Sequence, residues 1–389
     1  MLAIAIWSIA AAVLLLGHGY RDINGKLIGT DFVHFYTMGQ IARTGPARDL
    51  IDADAIYRRQ LALVPESEGE HYLPNYPLQT YFLFVPLSYF PYLVAWGIWG
   101  AIVFATYAFT LWLAWRPWRD ALRDRVMLIA GGAAFPPLVY LVFHGQTTPI
   151  VITAFGAGAA ALARGHKLLA GIAFGMLFFK PQFGLMLAIV VLACGEWAVL
   201  TGAVISALTQ VSALVLALDT TVIIESWQRM ARFAFVHEVF EPIPWQLHSL
   251  ATLTHLLPRP LDLPVWIALC AVVGWLTVRV WRRRDLPVDV RAGVLVLSSV
   301  LVSPHVLVYD LAVLAAPLLS VGGWLAADRV RLQALGRRWW FMVYLLFALV
   351  LFPTARLIRL QLSVILMTGM VYSVSEFVSA HPRQRDNGR

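Results

Sequence analysis

Charged residues are scarce in this 389-residue chain: Asp, Glu, Lys and Arg make up 13% of it, and its mean hydropathy is +0.71. Soluble chains carry about 25% charged residues, so this one cannot cover a water-exposed surface, and a soluble globular protein is excluded. Apolar runs of about 20 residues, enough to cross a hydrocarbon core of about 30 Å, recur from Met1 to Phe377. Because these runs are continuous rather than alternating, they predict helices and not the strands of a barrel.

Cysteine is nearly absent too, represented by Cys194 and Cys270. Both lie in or beside apolar segments, so neither a disulfide framework nor a cysteine-based metal site is expected. The first run, from Met1 to Leu16, lacks a basic n-region and a small-residue cleavage site, which predicts a retained span rather than a removed signal peptide. The net charge of +8 comes from arginine clusters between apolar runs, which indicate cytoplasmic loops rather than nucleic-acid binding.

The basic clusters predict the topology. The positive-inside rule places them in the cytoplasm, at 116–125, 164–167, 279–284, 329–338 and 381–389. An even number of crossings must separate neighbouring clusters, which predicts about twelve transmembrane helices with both termini in the cytoplasm. The predicted spans are 2–17, 92–114, 126–143, 147–163, a pair within 167–194, 198–218, 264–280, 289–303, 306–327, 339–353 and 357–378, with an interfacial or tilted helix at 78–90.

Lys180 interrupts one of the apolar runs, and a lysine at the membrane centre is unfavourable. A hairpin of two short spans with Lys180-Pro181-Gln182 at its outer turn avoids this burial. A single crossing kinked at Pro181 is the alternative, but it would force another crossing into the polar segment 219–263. The chain is therefore predicted to be one all-α membrane domain, 1–389, with interfacial helices in two extracytoplasmic segments, 19–75 and 219–263.

The notable polar residues fall on the predicted outer side, beginning with Asp31 after the first span. Its aromatic surroundings are expected to desolvate the carboxyl group, raise its pKa and suit it to act as a general base. The alternative is an N-cap, because Thr30 or Asp31 precedes the helical pattern FVHFYTMGQIA, which is predicted to lie along the interface. Asp52-Ala53-Asp54 leaves a divalent cation open, but Asp52 as the cap of the following helix is favoured and no metal site is predicted.

Lys180 and His305 also mark a candidate site, since each interrupts an apolar run where a neutral residue would be less costly. Both are groups that bind a lipid phosphate; the alternatives are snorkelling of the lysine and a structural hydrogen bond of the histidine. Asp310 is expected to pair with His305 and fix its tautomer. The remaining candidates for contacts with substrate are His34, Tyr36, Tyr76, Gln146, Gln182 and His248.

Taken in order, the motifs of the chain resemble those of glycosyltransferase family 87. They are D-F-x-x-F-Y from Asp31, N-Y-P from Asn75, G-Q at 145–146, K-P-Q from Lys180 and S-P-H-x-x-x-Y-D from Ser303. The resemblance covers roughly Thr30 to Pro317. It implies a GT-C type fold and an inverting single displacement with a polyprenyl-phosphate sugar donor, as in the family's polyprenyl-phosphomannose-dependent mannosyltransferases. It also implies that Asp31 is the base and that His305 contacts the donor phosphate, whereas Lys180 is assigned to the phosphate from its charge and position.

These features predict a multi-pass enzyme of the bacterial inner membrane that moves a hexose, mannose being favoured, to a lipid or glycan acceptor on the extracytoplasmic face. Its partners would be the polyprenyl-phosphate sugar, the acceptor and membrane lipids. A transporter or lipid flippase is the main alternative, but transporters often show inverted repeats and midplane ionisable residues, and the sequence shows neither. A non-catalytic assembly partner is the third interpretation. One departure from expectation is the turn 194–197, which lacks the basic residues typical of a cytoplasmic turn.

Overall fold

The computed structural model describes residues 1–234, 243–258, 260–351 and 355–381, and the regular structure in these ranges is helical. The helices of the first half are α1 (Leu2–Leu15), α2 (Phe32–Thr44), α3 (Ala53–Leu63), α4 (Gln79–Phe82), α5 (Tyr92–Trp115), α6 (Arg125–Ala133), α7 (Pro136–His144), α8 (Thr148–Ala163), α9 (Lys167–Gly175) and α10 (Pro181–Ala193). Those of the second half are α11 (Trp197–Ala217), α12 (Thr220–Ala234), α13 (Ala251–Thr254), α14 (Asp262–Arg282), α15 (Val288–Val302), α16 (Ala315–Ala326), α17 (Arg329–Arg331), α18 (Arg337–Leu351), α19 (Ala355–Ile358) and α20 (Leu362–Ala380).

Within the described ranges, six helices are long and apolar enough to cross a membrane, and a seventh crossing results if the bent pair α6 and α7 is one span. The six are Tyr92–Trp118, Trp197–Ala217, Asp262–Arg282, Val308–Ala326, Arg329–Leu351 and Leu362–Ala380. Four of the other predicted spans correspond to shorter apolar helices, α1, α8, α9 with its 3₁₀ extension, and α10. The protein is therefore an integral membrane protein, and the count of twelve stays a prediction.

Two sequence-based boundaries are wrong. Residues 78–90 do not form one helix but the short α4 and a separate 3₁₀ turn, Pro86–Tyr89, because proline has no amide hydrogen to continue an α-helix. The helix predicted to start at residue 339 instead begins at Arg329 and continues through a π-helical turn, Leu332–Gly336. The basic segment 329–338 is thus helical rather than a loop.

The chain forms a hairpin at Lys180. Lys167, at the start of α9, lies with its Nζ 3.0 Å from Oε2 of Glu196, so α10 has returned the chain to its starting level. α9 and α11 then run side by side in the same direction: a Cβ on Gly171 would lie 2.1 Å from an α11 carbonyl oxygen, and one on Gly175 would lie 2.5 Å from an α11 Cβ further along. The glycines allow this close approach, and it leaves Lys180 at the far end of the hairpin.

Basic loops gather at one end of the helix bundle, named here the basic end. Arg284 and Lys167 both form ion pairs with the buried carboxylate of Glu196, and Arg279 lies 3.3 Å from Glu376 near the end of α20. The turn 194–197 therefore needs no basic residues of its own, since it supplies the anion that neighbouring loops surround. From here α10 runs for 13 residues, or about 20 Å, to the opposite end, named here the site end.

Candidate functional site

Helix starts and helix ends bring polar side chains together at the site end. Gly145 ends α7 in the left-handed conformation, and Pro149 lies in the first turn of α8, which confines the connection to a tight turn. Pro181 likewise begins α10 directly after Lys180. Pro304 follows α15, where the helix stops at residue 302. Each break ends an apolar helix, so the polar side chains beside it lie at the end of the bundle.

Asp31 occupies the N-cap position of α2, yet its side chain makes no capping hydrogen bond. Its Oδ2 instead accepts a hydrogen bond from Gln146 Nε2 at 2.7 Å and lies 3.2 Å from His144 Nδ1. The cap interpretation therefore does not account for this carboxylate. Asp52, by contrast, does cap α3, because its Oδ1 accepts from two backbone amides of that helix. The expected cap at Asp52 is confirmed.

The expectation that the pKa of Asp31 is raised is wrong. Burial does act to raise it, but the hydrogen bond and charge of His144 and the hydrogen bond from Gln146 outweigh burial, so the pKa lies below its ordinary value of 3.8. The carboxylate is consequently ionised throughout the physiological pH range, and about a fifth of its side chain (23%) is exposed. An ionised, partly accessible carboxylate can accept a proton from a hydroxyl group.

His144 is the residue that sequence reasoning missed. Its Nδ1 also lies 3.1 Å from Thr30 Oγ1, its ring centroid is 5.4 Å from that of Tyr309, and 36% of its side chain is exposed. The available signal was its position beside Gly145 and Gln146 in a turn on the predicted outer side. His144 is thus a direct partner of Asp31 and remains accessible from outside the protein.

Gln146 and Tyr76 connect Asp31 to Lys180. Tyr76 donates a hydrogen bond from its hydroxyl to Gln146 Oε1 at 3.1 Å, and Lys180 Nζ lies 5.8 Å from the centroid of the tyrosine ring. Tyr76 therefore contacts Gln146, the partner of Asp31, through its hydroxyl, and the ammonium group of Lys180 through its ring. The side chains of Asp31, Gln146, Tyr76 and Lys180 are called the cluster below. A cation near an aromatic face is a favourable contact.

Lys180 is buried, with 4% of its surface exposed, so the snorkelling alternative is wrong. Its Nζ donates to Asp310 Oδ1 at 3.0 Å, and Thr148 donates to the same oxygen at 2.6 Å. The other oxygen, Oδ2, accepts from the backbone amide of Leu307 at 3.3 Å. A buried charge requires such a partner, and Asp310 fixes Lys180 while holding the 303–310 segment against α8.

His305 lies in the same neighbourhood. Burial lowers the pKa of its imidazole, the charge of Asp310 opposes that effect, and the charge of Lys180 adds to it. The neutral ring has one N–H donor and one acceptor. A neutral, hydrogen-bonding imidazole therefore fits this position better than a permanent cation.

His34 and His248 are both neutral, because burial lowers the pKa of each to about 4. His34 stacks on Tyr72 with ring centroids 5.4 Å apart, and its Nδ1 is a buried atom without a hydrogen-bond partner among the described residues. His248 binds Ser363 Oγ through Nδ1 at 2.8 Å, and its backbone amide donates to Val306, next to His305. His34 is thus a candidate for substrate contact, whereas His248 supports the loop that carries His305.

Of the two remaining predicted residues, Tyr36 and Gln182, only Gln182 lies beside Lys180 in the chain. Tyr36 donates its hydroxyl to the carbonyl of Phe90 at 2.9 Å and packs edge-on against Tyr92, so it belongs to the packing of α2 rather than to the cluster. Gln182 is half-buried in the first turn of α10, two residues from Lys180. No group of three or more His, Cys, Asp or Glu side chains that could hold a metal ion occurs within the ranges that the structure describes.

An apolar groove of about 410 Å³ begins at the hairpin turn. α9, α10 and α11 form its walls, and Phe178 and Pro181 lie where it meets the site end. Its lining continues along the helices to Val191 and Val199, close to the basic end. The groove therefore offers space for a long apolar chain that starts beside Lys180.

Gly145 allows the turn after α7 to pack closely against α2, which gives a testable prediction. Its φ is +65°, and an added Cβ would lie 2.5 Å from the Cβ of Phe32, the residue after Asp31. Gly145→Ala is expected to lose about 1–2 kcal/mol of stability from the left-handed backbone, and more from the collision, with a matching fall in activity. Thermal unfolding should be compared with Gly165→Ala, whose φ is +81° but whose Cβ would meet no atom within 4 Å. Equal losses in the two variants would contradict the close packing of Phe32.

A membrane protein with an ionised carboxylate and a buried lysine at one end of its bundle has the components of a group-transfer enzyme. The family model of glycosyltransferase family 87 matches residues 73–304, which is more than half of the chain. The protein therefore belongs to glycosyltransferase family 87, and the predicted family is confirmed. No curated protein and no solved structure matches the chain. The matched region includes Tyr76, Gln146 and Lys180, while Asp31 precedes it and His305 follows it.

Proposed function

We propose that this membrane glycosyltransferase moves a hexose, with mannose favoured, from a polyprenyl-phosphate sugar to a hydroxyl group of a lipid or glycan acceptor, with inversion at the anomeric carbon. The observation that carries the proposal is the contact chain from Asp31 through Gln146 and Tyr76 to Lys180. It joins an acceptor of protons to a buried cation in one cluster. Glycosyl transfer needs the proton acceptor near the attacking hydroxyl and the cation near the leaving phosphate.

The reaction is a single displacement. The oxygen of the acceptor hydroxyl attacks the anomeric carbon while Asp31 takes the proton of that hydroxyl. At the same time the bond from the anomeric carbon to the phosphate oxygen breaks. The departing polyprenyl phosphate gains negative charge, which hydrogen bonds from Lys180 and from the neutral His305 stabilise. An ammonium group has three N–H donors, and Asp310 accepts from one of them. Asp310 thereby keeps the lysine charged although it is buried.

The apolar groove between α9, α10 and α11 fits the chain of the donor. Because its lining begins at Phe178 and Pro181, a polyprenyl chain in the groove would hold its phosphate beside Lys180. His34 and Gln146, with Gln182 at the turn, are proposed to contact the sugar or the acceptor. The basic end is proposed to face the cytoplasm, which puts the site on the extracytoplasmic face of the bacterial inner membrane in a single GT-C domain of about twelve spans.

The direct test incubates the purified protein with a panel of polyprenyl-phosphate sugars and with membrane lipid extracts, and identifies products by mass spectrometry. A glycosylated product is expected with a polyprenyl-phosphate hexose and not with the corresponding nucleotide sugar. Product formation from the nucleotide sugar alone would contradict the proposed donor. Translocation of the lipid-linked sugar across vesicles without any product would indicate the transporter alternative instead.

The pH profile of transfer provides a second prediction, on His144. Asp31 must be ionised to accept a proton, so activity is kept at pH values above its pKa and lost below it. Burial raises that pKa, but the hydrogen bond and charge of His144 lower it, and the net pKa lies below its ordinary value. His144→Ala is therefore expected to move the acidic limb of kcat/KM to higher pH. His71→Ala, an exposed histidine in the same outer segment, is the matched control and should leave the limb in place. An unmoved limb in His144→Ala would show that Asp31 is not the titrating base.

A further inference from the structure

A second cavity, of about 750 Å³, lies at the basic end, away from the cluster around Asp31. Its walls are formed by four helices that pack in a ring, α5 on α8, α8 on α15, α15 on α16 and α16 on α5. Ligand sites have volumes of about 300–1,000 Å³, so the cavity is large enough for part of a small molecule. The proposed glycosyl transfer uses none of its lining residues.

The walls of the cavity are apolar and built largely from small side chains. α8 contributes the small residues Gly156, Ala159, Ala160 and Ala163, together with the larger Ile152 and Phe155. The lining extends along α8 from residue 152 to residue 164, which directly follows the helix, a depth of roughly 18 Å at about 1.5 Å per residue. A deep apolar space is suited to a hydrocarbon chain rather than to a polar solute.

The mouth of the cavity is charged and carries an excess of arginine. Arg116, Arg119 and Arg164 lie at its rim, all exposed, together with the carboxylates of Asp120 and Asp289. None of the three arginines forms an ion pair with a carboxylate in the part of the chain that the structure describes. Asp289, by contrast, already accepts a hydrogen bond from Trp118 Nε1 at 2.5 Å. Guanidinium groups without carboxylate partners are suited to bind a phosphate.

We propose that this cavity binds one membrane phospholipid with an anionic head group, from the leaflet next to the basic end. Its phosphodiester would lie on Arg116, Arg119 and Arg164, and one acyl chain would extend between the four helices. The charge of the mouth and the apolar depth of the walls together select an amphiphile with a phosphate at one end. A free phosphate would leave the apolar space empty, and a lipid without net negative charge would not balance the excess of arginine at the mouth.

The floor of the cavity connects this lipid to the site end. Ile152 and Val313 line its deep part, and they lie about one helical turn from Thr148 and Asp310, the two residues that bond to each other beside Lys180. An occupied cavity would therefore support the packing of α8 and α16 beneath that ion pair. The lipid is accordingly expected to stabilise the fold.

The test is binding of phosphatidylglycerol to delipidated protein in detergent, followed by native mass spectrometry and by the midpoint of thermal unfolding. One tightly retained phosphatidylglycerol and a raised midpoint are expected for the wild type. Arg116→Gln combined with Arg164→Gln, and separately Ala160→Phe, which fills the cavity, should each weaken binding by about tenfold or more. Arg337→Gln combined with Arg338→Gln, two exposed arginines that do not line the cavity, is the matched control and should bind normally.

Several results would overturn the proposal. Equal binding of phosphatidylcholine would show that an anionic head group is not selected. An equal rise in the unfolding midpoint with inorganic phosphate would indicate a site for free phosphate. Normal binding by a folded Ala160→Phe protein would show that the acyl chain does not lie in this cavity. If the control pair weakened binding as much as Arg116→Gln combined with Arg164→Gln, binding would depend on the overall surface charge and not on the arginines at the mouth.

Discussion

Asp31→Asn is expected to leave the protein folded and inserted in the membrane while lowering kcat by about 10²–10⁴-fold. A positioned general base contributes a factor of this size, and an amide cannot accept the proton. The change keeps the shape of the side chain, and its oxygen can still accept the hydrogen bond that Gln146 now donates to the carboxylate. The measurement is the rate of glycosyl transfer by purified protein at saturating donor, next to the unfolding midpoint.

Asp54→Asn is the matched control for that substitution. Asp54 lies in the same segment between α1 and α5, is exposed, and its side chain lies outside the cluster around Asp31. Its replacement should leave both kcat and the unfolding midpoint unchanged. If Asp31→Asn retained wild-type turnover, the proton would have to be taken by another group, and the mechanism proposed for this end of the bundle would be wrong.

The sequence predicts the membrane helices well where an apolar run is long and bounded by arginines. The hairpin at Lys180 could be inferred from the cost of a lysine at the membrane centre and from the even number of crossings required between basic clusters that lie on one side of the membrane. The predicted helix boundaries are wrong where proline interrupts an apolar segment, as in residues 78–90, because proline has no amide hydrogen to continue the helix. They also fail where polar residues continue a helix, as at Arg329.

The candidate site was only partly accessible to sequence reasoning. Unusual residue types identified Asp31, Lys180 and His305, because charged or polar groups beside apolar runs are rare. The partners of these residues could not be predicted from the sequence, because contacts such as that between Asp31 and His144 join segments more than a hundred residues apart. For this reason the direction of the Asp31 pKa was wrong: burial is visible in local composition, whereas the opposing histidine is supplied by the fold.

The ion pair of Lys180 and Asp310 yields the other large expected effect. Lys180→Met would leave a buried carboxylate without its cation, and Asp310→Asn would leave a buried ammonium without its anion. Removal of one partner of a buried pair costs about 3–5 kcal/mol, whereas removal of both is often nearly neutral. The double variant is therefore expected to recover most of the stability lost by either single variant, because an asparagine oxygen can still accept the hydrogen bond from Thr148.

Activity in the same three variants separates a structural role of the pair from a role in the reaction. If Lys180 only balances the charge of Asp310, the double variant regains transfer together with its stability. If Lys180 donates to the leaving phosphate, the double variant unfolds near the wild-type temperature but still transfers the sugar slowly, since its methionine cannot stabilise the charge that develops. We expect the second result, measured as kcat at saturating donor beside the unfolding midpoint. A double variant with restored turnover would remove Lys180 from the proposed mechanism while leaving Asp31 as the base.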